Sequence, residues 1–382
     1  MKAQRGYSMI ELLVAITLSI LVTDAAVSLF LANKNTSSTT TAIAAVSDSG
    51  RYALNFIEQS VRTGGYMACN GINNLNQPPP TGGVQDFKQI SVLPAGATPV
   101  QNSYQFAFGG YEAAATGQGS VVALSAMPVL ADTTPGDWLL AGGGGLDALL
   151  TANTPAVPGV IKGTDVIVVR ESLPQSRNMF TTALYTAGAL NISVNNTASI
   201  AGITLPHAAV ISNCGASAAF QLTGLLAGAP GTLNMGAGVP ITFGNPVQVA
   251  PVVTQIYYIG RGRDTDGALY LWQDDAPGGS VELVPDVESM QVLYGVVPPP
   301  ANPNVEPGVA TAYVTADQVP DFNRVVSIKV ALLVSSPPGT IAVRAPTAAP
   351  TYALLGTTVT APIDARFRKV FDVTIAARNA AQ

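Results

Sequence analysis

The sequence predicts an α+β protein, a long N-terminal α-helix packed on an antiparallel β-sheet, with a large β-rich insertion between the two. Three observations carry this expectation. Residues 6 to 32 form an almost unbroken apolar run. Between residues 43 and 61 apolar positions recur at spacings of three and four, the period of one helix face. From residue 252 to 378, β-branched runs alternate between two faces and follow one another too closely for helical crossovers.

The apolar run comes first in the chain. From Met9 to Ala32 it has 24 residues, enough for a helix to cross about 30 Å of hydrocarbon. Lys2 and Arg5 precede it and no acid does, so the bias of basic residues to the cytoplasmic side sends the rest of the chain outward. A cleaved secretory signal is the bland alternative, with Thr23-Asp24-Ala25-Ala26 as a loose cleavage site. The length of the run and Glu11 near its start argue against it, because an acid at that depth costs about 2.5 to 3.5 kcal/mol on insertion scales. Asp24, a second acid, reads as a partly hydrated or partner-facing residue.

Gly6-Tyr7-Ser8-Met9-Ile10-Glu11, followed by Leu12-Leu13-Val14, resembles the class III signal of type IV prepilins and pseudopilins. The resemblance implies a type IV pilin fold and processing by a prepilin peptidase, which would cut after Gly6 and methylate the new N-terminus at Tyr7. It also implies that Glu11 attracts the N-terminal ammonium of a neighbouring subunit as the chain leaves the bilayer for a filament. Opposite charges attract far more strongly in an apolar bundle than in water. Tyr7 stands where the family usually has Phe. The run also lacks the Gly and Pro interruptions of major pilins, which favours a minor pilin.

Beyond the run, NKNTSSTTT (residues 33 to 41) is polar and is the expected site of a helix break. Ile43, Val46, Gly50, Leu54, Ile57 and Val61 then form one stripe, Arg51, Glu58 and Arg62 fall on the wet face, and Gly64-Gly65 is a plausible stop. A single helix over residues 7 to 62 would be about 84 Å long. The stretch SDSGRYALNFIEQSVRTGGYMACN (47 to 70) resembles PilW-type minor pilins.

Cys69 and Cys214 are the two cysteines, and outward topology places both in an oxidising compartment. A disulfide is the default there. It would restrict the unfolded chain by roughly 5 kcal/mol in the entropy model. Two free thiols or a metal pair are the alternatives; with a single histidine in the chain, a zinc site lacks ligands.

Residues 71 to 250 carry few charges and are dominated by Gly, Ala, Pro, Thr and Asn. SYQFAF (103 to 108), SVVALSA (120 to 126), DVIVVRES (165 to 172) and AAVIS (208 to 212) look like strands, while Pro78-Pro79-Pro80 and Gly142 to Gly145 read as loops. The closing region is clearer. VVTQIYYIGRG and ALYLWQD flank RDTDG as a hairpin, and SVELVPDVESMQVLYGVV supplies one or two strands. VVSIKVALLVSS has one buried face and a second that is only partly polar; in FRKVFDVTIAAR, Phe371, Val373 and Ile375 share a face. LVPDVESMQVLYGV, TADQVPDFNRVVSIKVALLVSS and RKVFDVTIAARN resemble PilW-type minor pilins in the family's order. With the helix segments, the resemblance covers a little under half of the chain. J-type pseudopilins of type II secretion share the signal and a similar closing strand.

Composition excludes some functions. The net charge of -5 and the absence of a basic run offer nothing to nucleic acid. His207, the sole histidine, has no G-x-S-x-G serine to serve. Asp264-Thr265-Asp266-Gly267 resembles the start of a calcium loop, yet no closing acid follows, so a surface turn is favoured. The glycine run lacks the Lys-Ser/Thr of a phosphate loop, and nothing pairs Glu58 and Glu288 as acid and base. No catalytic residue, metal site or cofactor is expected.

These readings divide the chain into a leader (1–6), a membrane or filament-core half-helix (7–32), a distal half-helix (33–66), a β-rich region (67–250) and a closing sheet (251–382). By resemblance, the protein is a minor pilin that primes type IV pilus assembly and joins the tip complex. Its partners would be other minor pilins, the major pilin, a PilY-type tip protein and the prepilin peptidase. It would rest in inner-membrane lipid before assembly and at the pilus tip afterwards. The alternatives are a J-type pseudopilin, or a membrane-anchored periplasmic enzyme or carbohydrate-binding module.

Overall fold

The computed structural model describes residues 8–67, 70–71, 88–91, 107–124, 137–140, 146, 150, 154–213, 216–274, 279–297, 309–339 and 346–377. Its first element, α1, is one continuous helix from Met9 to Thr63, 55 residues long. The expected break at NKNTSSTTT does not occur. The hydroxyls there turn inward along the helix: Thr36, Thr39, Thr40 and Thr41 each donate to the carbonyl four residues back, at 2.8 to 3.0 Å. Each polar side chain thereby satisfies itself on the helix and leaves the backbone ladder intact.

No residue of the apolar window in the first half of α1 is buried, and by length and hydropathy it can cross a membrane. The second half is amphipathic. Its buried positions are Ala42, Val46, Gly50, Ala53, Ile57, Ser60 and Val61. This corrects the expected stripe at two places: Ile43 is exposed and Leu54 is only half-buried. Small Ala42 and Ala53 take the inner positions, which brings the helix axis closer to the sheet.

The principal strands are β1 (Phe108–Ala113), β2 (Val166–Ser172), β3 (His207–Asn213), β4 (Ala216–Leu226), β5 (Gln248–Gly260), β6 (Ala268–Gln273), β7 (Ser280–Pro285), β8 (Val287–Val296), β9 (Val325–Ser335) and β10 (Arg368–Ala376). β8, β9 and β10, with the short strand Ala312–Val314 beside β8, make a four-stranded antiparallel sheet. The other strands named belong to a larger sheet that β5 organises. Residues 248–251 of β5 pair with β3, residues 252–257 with β2, and residues 255–260 with β6, all antiparallel. β5 thus runs through the expected boundary at residue 250. Among the described residues two pairings are parallel, Lys88–Ser91 with β4 and Val121–Ala123 with Thr357–Thr360.

Strand by strand, β2, β3 and the β5–β6 hairpin lie where the sequence places them. SVELVPDVESMQVLYGVV forms two strands. They break at Asp286, whose φ of +61° is a left-handed conformation that Asp tolerates better than most residues. SYQFAF is only partly within the described residues, where β1 begins at Phe108. The proline and glycine loops lie outside them.

The main core joins the inner face of α1 to both sheets: Val46, Ala53, Ile57 and Val61 pack with Ile167, Val169, Tyr257, Met290, Ile328, Val330, Leu332 and Ile375. β9 is buried on both faces, where the sequence suggests one buried and one partly polar face. Ile328, Val330, Leu332 and Val334 join the main core, while Ala331 and Leu333 are covered by Leu354 and Val359 of the Thr351–Thr360 hairpin. A second core, with Phe220, Leu222, Leu233, Phe243 and Val249, fills the lobe built on β3 and β4.

Candidate functional site

The amino-terminal half of α1 and the surface that fixes its distal half form the candidate site. Ser8 is the N-cap and Glu11 the third helical residue. The Glu11 Oε2 accepts from the Ser8 N–H at 3.1 Å, and the Ser8 hydroxyl accepts in return, completing a reciprocal capping box. Sequence reasoning missed this role, although S-x-x-E before an apolar run is its signature. Gly6 and Tyr7, the expected processing site, and Cys69 and Cys214, the expected disulfide pair, lie outside the described residues. Glu11 and Asp24 both lie exposed on the bare first half of α1.

At the far end, α1 is seated tightly. Ser60 and Tyr257 share a buried hydroxyl–hydroxyl hydrogen bond, and burial raises the Tyr257 phenol to about 12. Gly64 ends the helix where a side chain would collide with Phe108 and Val169. The Gly65 N–H then donates to the Arg170 carbonyl of β2 at 2.8 Å. On the wet face, Arg62 pairs with Glu58.

The turn Asp264 to Gly267 is a hairpin turn, as favoured from sequence, and Asp266 there pairs with Arg366 at 3.1 Å. Arg366 also holds Asp286 at 2.6 Å. Arg368 grips Glu288 with two hydrogen bonds of 2.7 and 3.1 Å, and Asp364 with two more. Burial opposes the Arg368 charge, but the hydrogen bonds that it donates to Asp364 and Glu288 more than offset this and raise its pKa. The same Arg368 hydrogen bonds lower Asp364. Glu288 is therefore an ion-pair partner that locks the start of β8 to β10.

A second acidic pair escaped sequence reasoning altogether. Asp165 is fully buried, and its two oxygens accept from the Ala113 N–H at 3.0 Å and the Val292 N–H at 2.8 Å, tying β1 to β8. The Glu112 carboxyl lies against it, and Thr116 donates to Glu112 at 2.8 Å. Burial is the main reason that Glu112 is pushed up to about 7; nearby Asp317 adds to it. Burial and Glu112 likewise raise Asp165. Glu112 borders a polar cleft of about 320 Å³ that Gln118, Thr315 and Asp317 also line. Among the described residues no group of three or more potential metal ligands occurs. His207 opens β3, buried, with its Nε2 3.0 Å from the Val252 carbonyl, and burial lowers its pKa to about 4.

A long N-terminal helix, apolar and bare in its first half and seated in its second half on antiparallel sheets, defines an α+β protein. Residues 256–379, from β5 through β10, match the family model for Type IV Pilus-assembly protein W. The resemblance read from the closing strands is thereby shown over that stretch, about a third of the chain. A type IV-like pilin, TTHA1219 from Thermus thermophilus, is similar at 20% identity over 34% of this chain and 67% of its own, with a TM-score of 0.18. No curated protein matches the chain.

Proposed function

We propose that the chain is a minor pilin that primes type IV pilus assembly and takes a place in the tip complex. The observation that carries this reading is the match of residues 256–379 to the pilus-assembly W family, on the sheet against which the distal half of α1 is packed. Residues 1–6 would be a leader removed by the prepilin peptidase, with Tyr7 the methylated N-terminus. Residues 7–32 would hold the subunit in inner-membrane lipid and then enter the filament core, with 33–66 as the distal half-helix. The 67–250 region and the 251–382 sheet would be displayed outside. Partners would be the companion minor pilins, the major pilin and a PilY-type tip protein, and the work would be non-covalent. A disulfide between Cys69 and Cys214 would tie the end of the helix to the middle of the chain.

In this reading Glu11 has two consecutive partners. In the free subunit its carboxylate caps its own helix through Ser8; on assembly it meets the N-terminal ammonium of a neighbour, a stronger partner in an apolar bundle than a neutral N–H. Glu11→Leu tests this. The variant should insert into the membrane at the wild-type level, while pili become fewer and the subunit is missing from sheared filaments. Normal pilus number with the altered subunit incorporated would overturn the role.

A further inference from the structure

β10 ends the closing sheet: it pairs with β9 and with no other strand among the described residues. The bonds that flank this ladder fix which way its backbone points. The Ser336 N–H donates to the Phe367 carbonyl at 2.8 Å and the Ala377 N–H to the Val326 carbonyl at 2.9 Å, and the register between them runs through nine pairs without a shift. Bonded pairs alternate in an antiparallel ladder, so the odd-numbered residues of β10 turn to β9. Val370, Asp372, Thr374 and Ala376 therefore direct N–H and C=O to the open side, where these groups have no partner among the described residues.

Exposed edges are commonly blunted by proline, a bulge or a charge standing across them. β10 has no proline and no bulge, and its Lys369 ammonium lies over the Phe371 ring, 5.0 Å from the centroid. The side chains along the edge specify what complements it. Toward α1, Phe371 and Val373 are only half-buried. On the other face Asp372, Thr374 and Ala376 are exposed, and Asp372 has no ion-pair partner among the described residues. A row of alternating N–H and C=O groups matches an extended strand and not a helix. That strand would carry apolar side chains toward Phe371 and Val373, and a Lys or Arg toward Asp372.

A second copy of β10 does not meet these terms. The buried positions of α1 run from Ala42 to Val61, about 29 Å, so the helix lies along the sheet, with Gly50 on Phe371. A two-fold axis that pairs β10 antiparallel with itself stands perpendicular to the sheet and reverses any helix lying along it. The two apolar half-helices would then point apart instead of into one membrane.

Resting on the reading of α1 as a membrane anchor, we infer that the outer edge of β10 docks an extended segment of a different protein as a fifth strand of the closing sheet, with a basic residue beside Asp372.

The test uses the full chain in its native membrane, with a photo-crosslinking phenylalanine analogue at Ala376. The expected adduct is to another protein, at a segment in which apolar and polar residues alternate and a Lys or Arg occurs. Thr374→Pro removes one outward N–H and spares the β9 ladder; it should leave the melting temperature of the purified protein unchanged and lower the adduct yield about tenfold, the scale of one hydrogen bond. Asp372→Lys should lower the yield as well, and Thr374→Val should keep it. If Thr374→Pro proves to unfold the protein, Asp372→Lys decides. No adduct beyond lipid, adducts to a second copy of this chain, adducts to a segment without that alternation, or a yield indifferent to Asp372→Lys would each overturn the inference. If the chain is recovered in sheared pili, such a failure leaves the pilin reading standing; if it is never found there, the pilin reading itself fails.

Discussion

Gly50 of α1 lies against the ring of Phe371 on β10 so closely that even a methyl group at position 50 would overlap the ring. The absence of a side chain at one helix position thus sets how near the helix comes to the closing sheet. Replacing Gly by Ala in a helix ordinarily gains about 1 kcal/mol, while forcing atoms into a packed contact costs about 1 to 3 kcal/mol. Gly50→Ala should therefore be neutral to destabilising by about 2 kcal/mol despite its better helix propensity, and Gly50→Val worse. Denaturant titration of the detergent-solubilised protein measures this. Adding Phe371→Leu to Gly50→Ala should recover part of the loss; stabilisation by Gly50→Ala alone would show that the helix does not sit on the ring.

The Arg368–Glu288 pair offers a second test. Both side chains are almost fully buried, so removing one leaves the other with a weaker set of partners: among the described residues, Glu288 keeps only Arg366 at 3.4 Å, and Arg368 only Asp364. Arg368→Met should cost about 3 to 5 kcal/mol, and the double change Arg368→Met with Glu288→Met much less than the sum of the single changes. A double-mutant cycle on unfolding free energy decides this, and additive losses would mean that the pair is not coupled.

Stability should also carry two opposed pH dependences. Glu112 has a folded pKa of about 7, above its ordinary 4.5, so its contribution is complete below about 4.5 and is lost as pH rises through 7. His207 has a folded pKa of about 4, below its ordinary 6.5, so its contribution is complete above 6.5 and is lost as pH falls toward 4. Between pH 5 and 6.5 the two groups change stability in opposite directions, so each masks part of the other's slope. Glu112→Gln should therefore expose a loss on the acid side, and His207→Gln a loss on the alkaline side. Denaturation midpoints at pH 5, 6.5 and 8 for the three proteins check it; parallel profiles would contradict the assignment.

Local patterns made much of this fold legible. The apolar run, the three-and-four spacing of Val46, Gly50, Ile57 and Val61, and the alternation in β9 and β10 each record a surface that must be covered. The misses arise where an element's environment comes from distant parts of the chain. Ile43 looks like a core residue until the sheet's position shows that Ala42 faces it. Leu333 lies on a face of β9 that no local rule marks as buried, because its cover is the Thr351–Thr360 hairpin. The threonines of residues 36 to 41 resemble a breaker by composition, yet they bond their own helix. Asp165 is the extreme case: its two backbone partners stand 52 and 127 residues away in sequence, and nothing near it in the chain announces them. For the candidate site, Glu11 was legible as an acid near the start of an apolar run, and its capping partner Ser8 was visible three residues before it.

The central claim is that residues 1–6 are a leader and that Tyr7 begins the working subunit. Mass spectrometry of the intact N-terminal peptide from membrane and pilus fractions tests it most directly. A peptide beginning at N-methylated Tyr7 is the expected result, with Gly6→Ala leaving the unprocessed chain in the membrane. A chain that begins anywhere else, whether at Met1 or after Ala26, would contradict it.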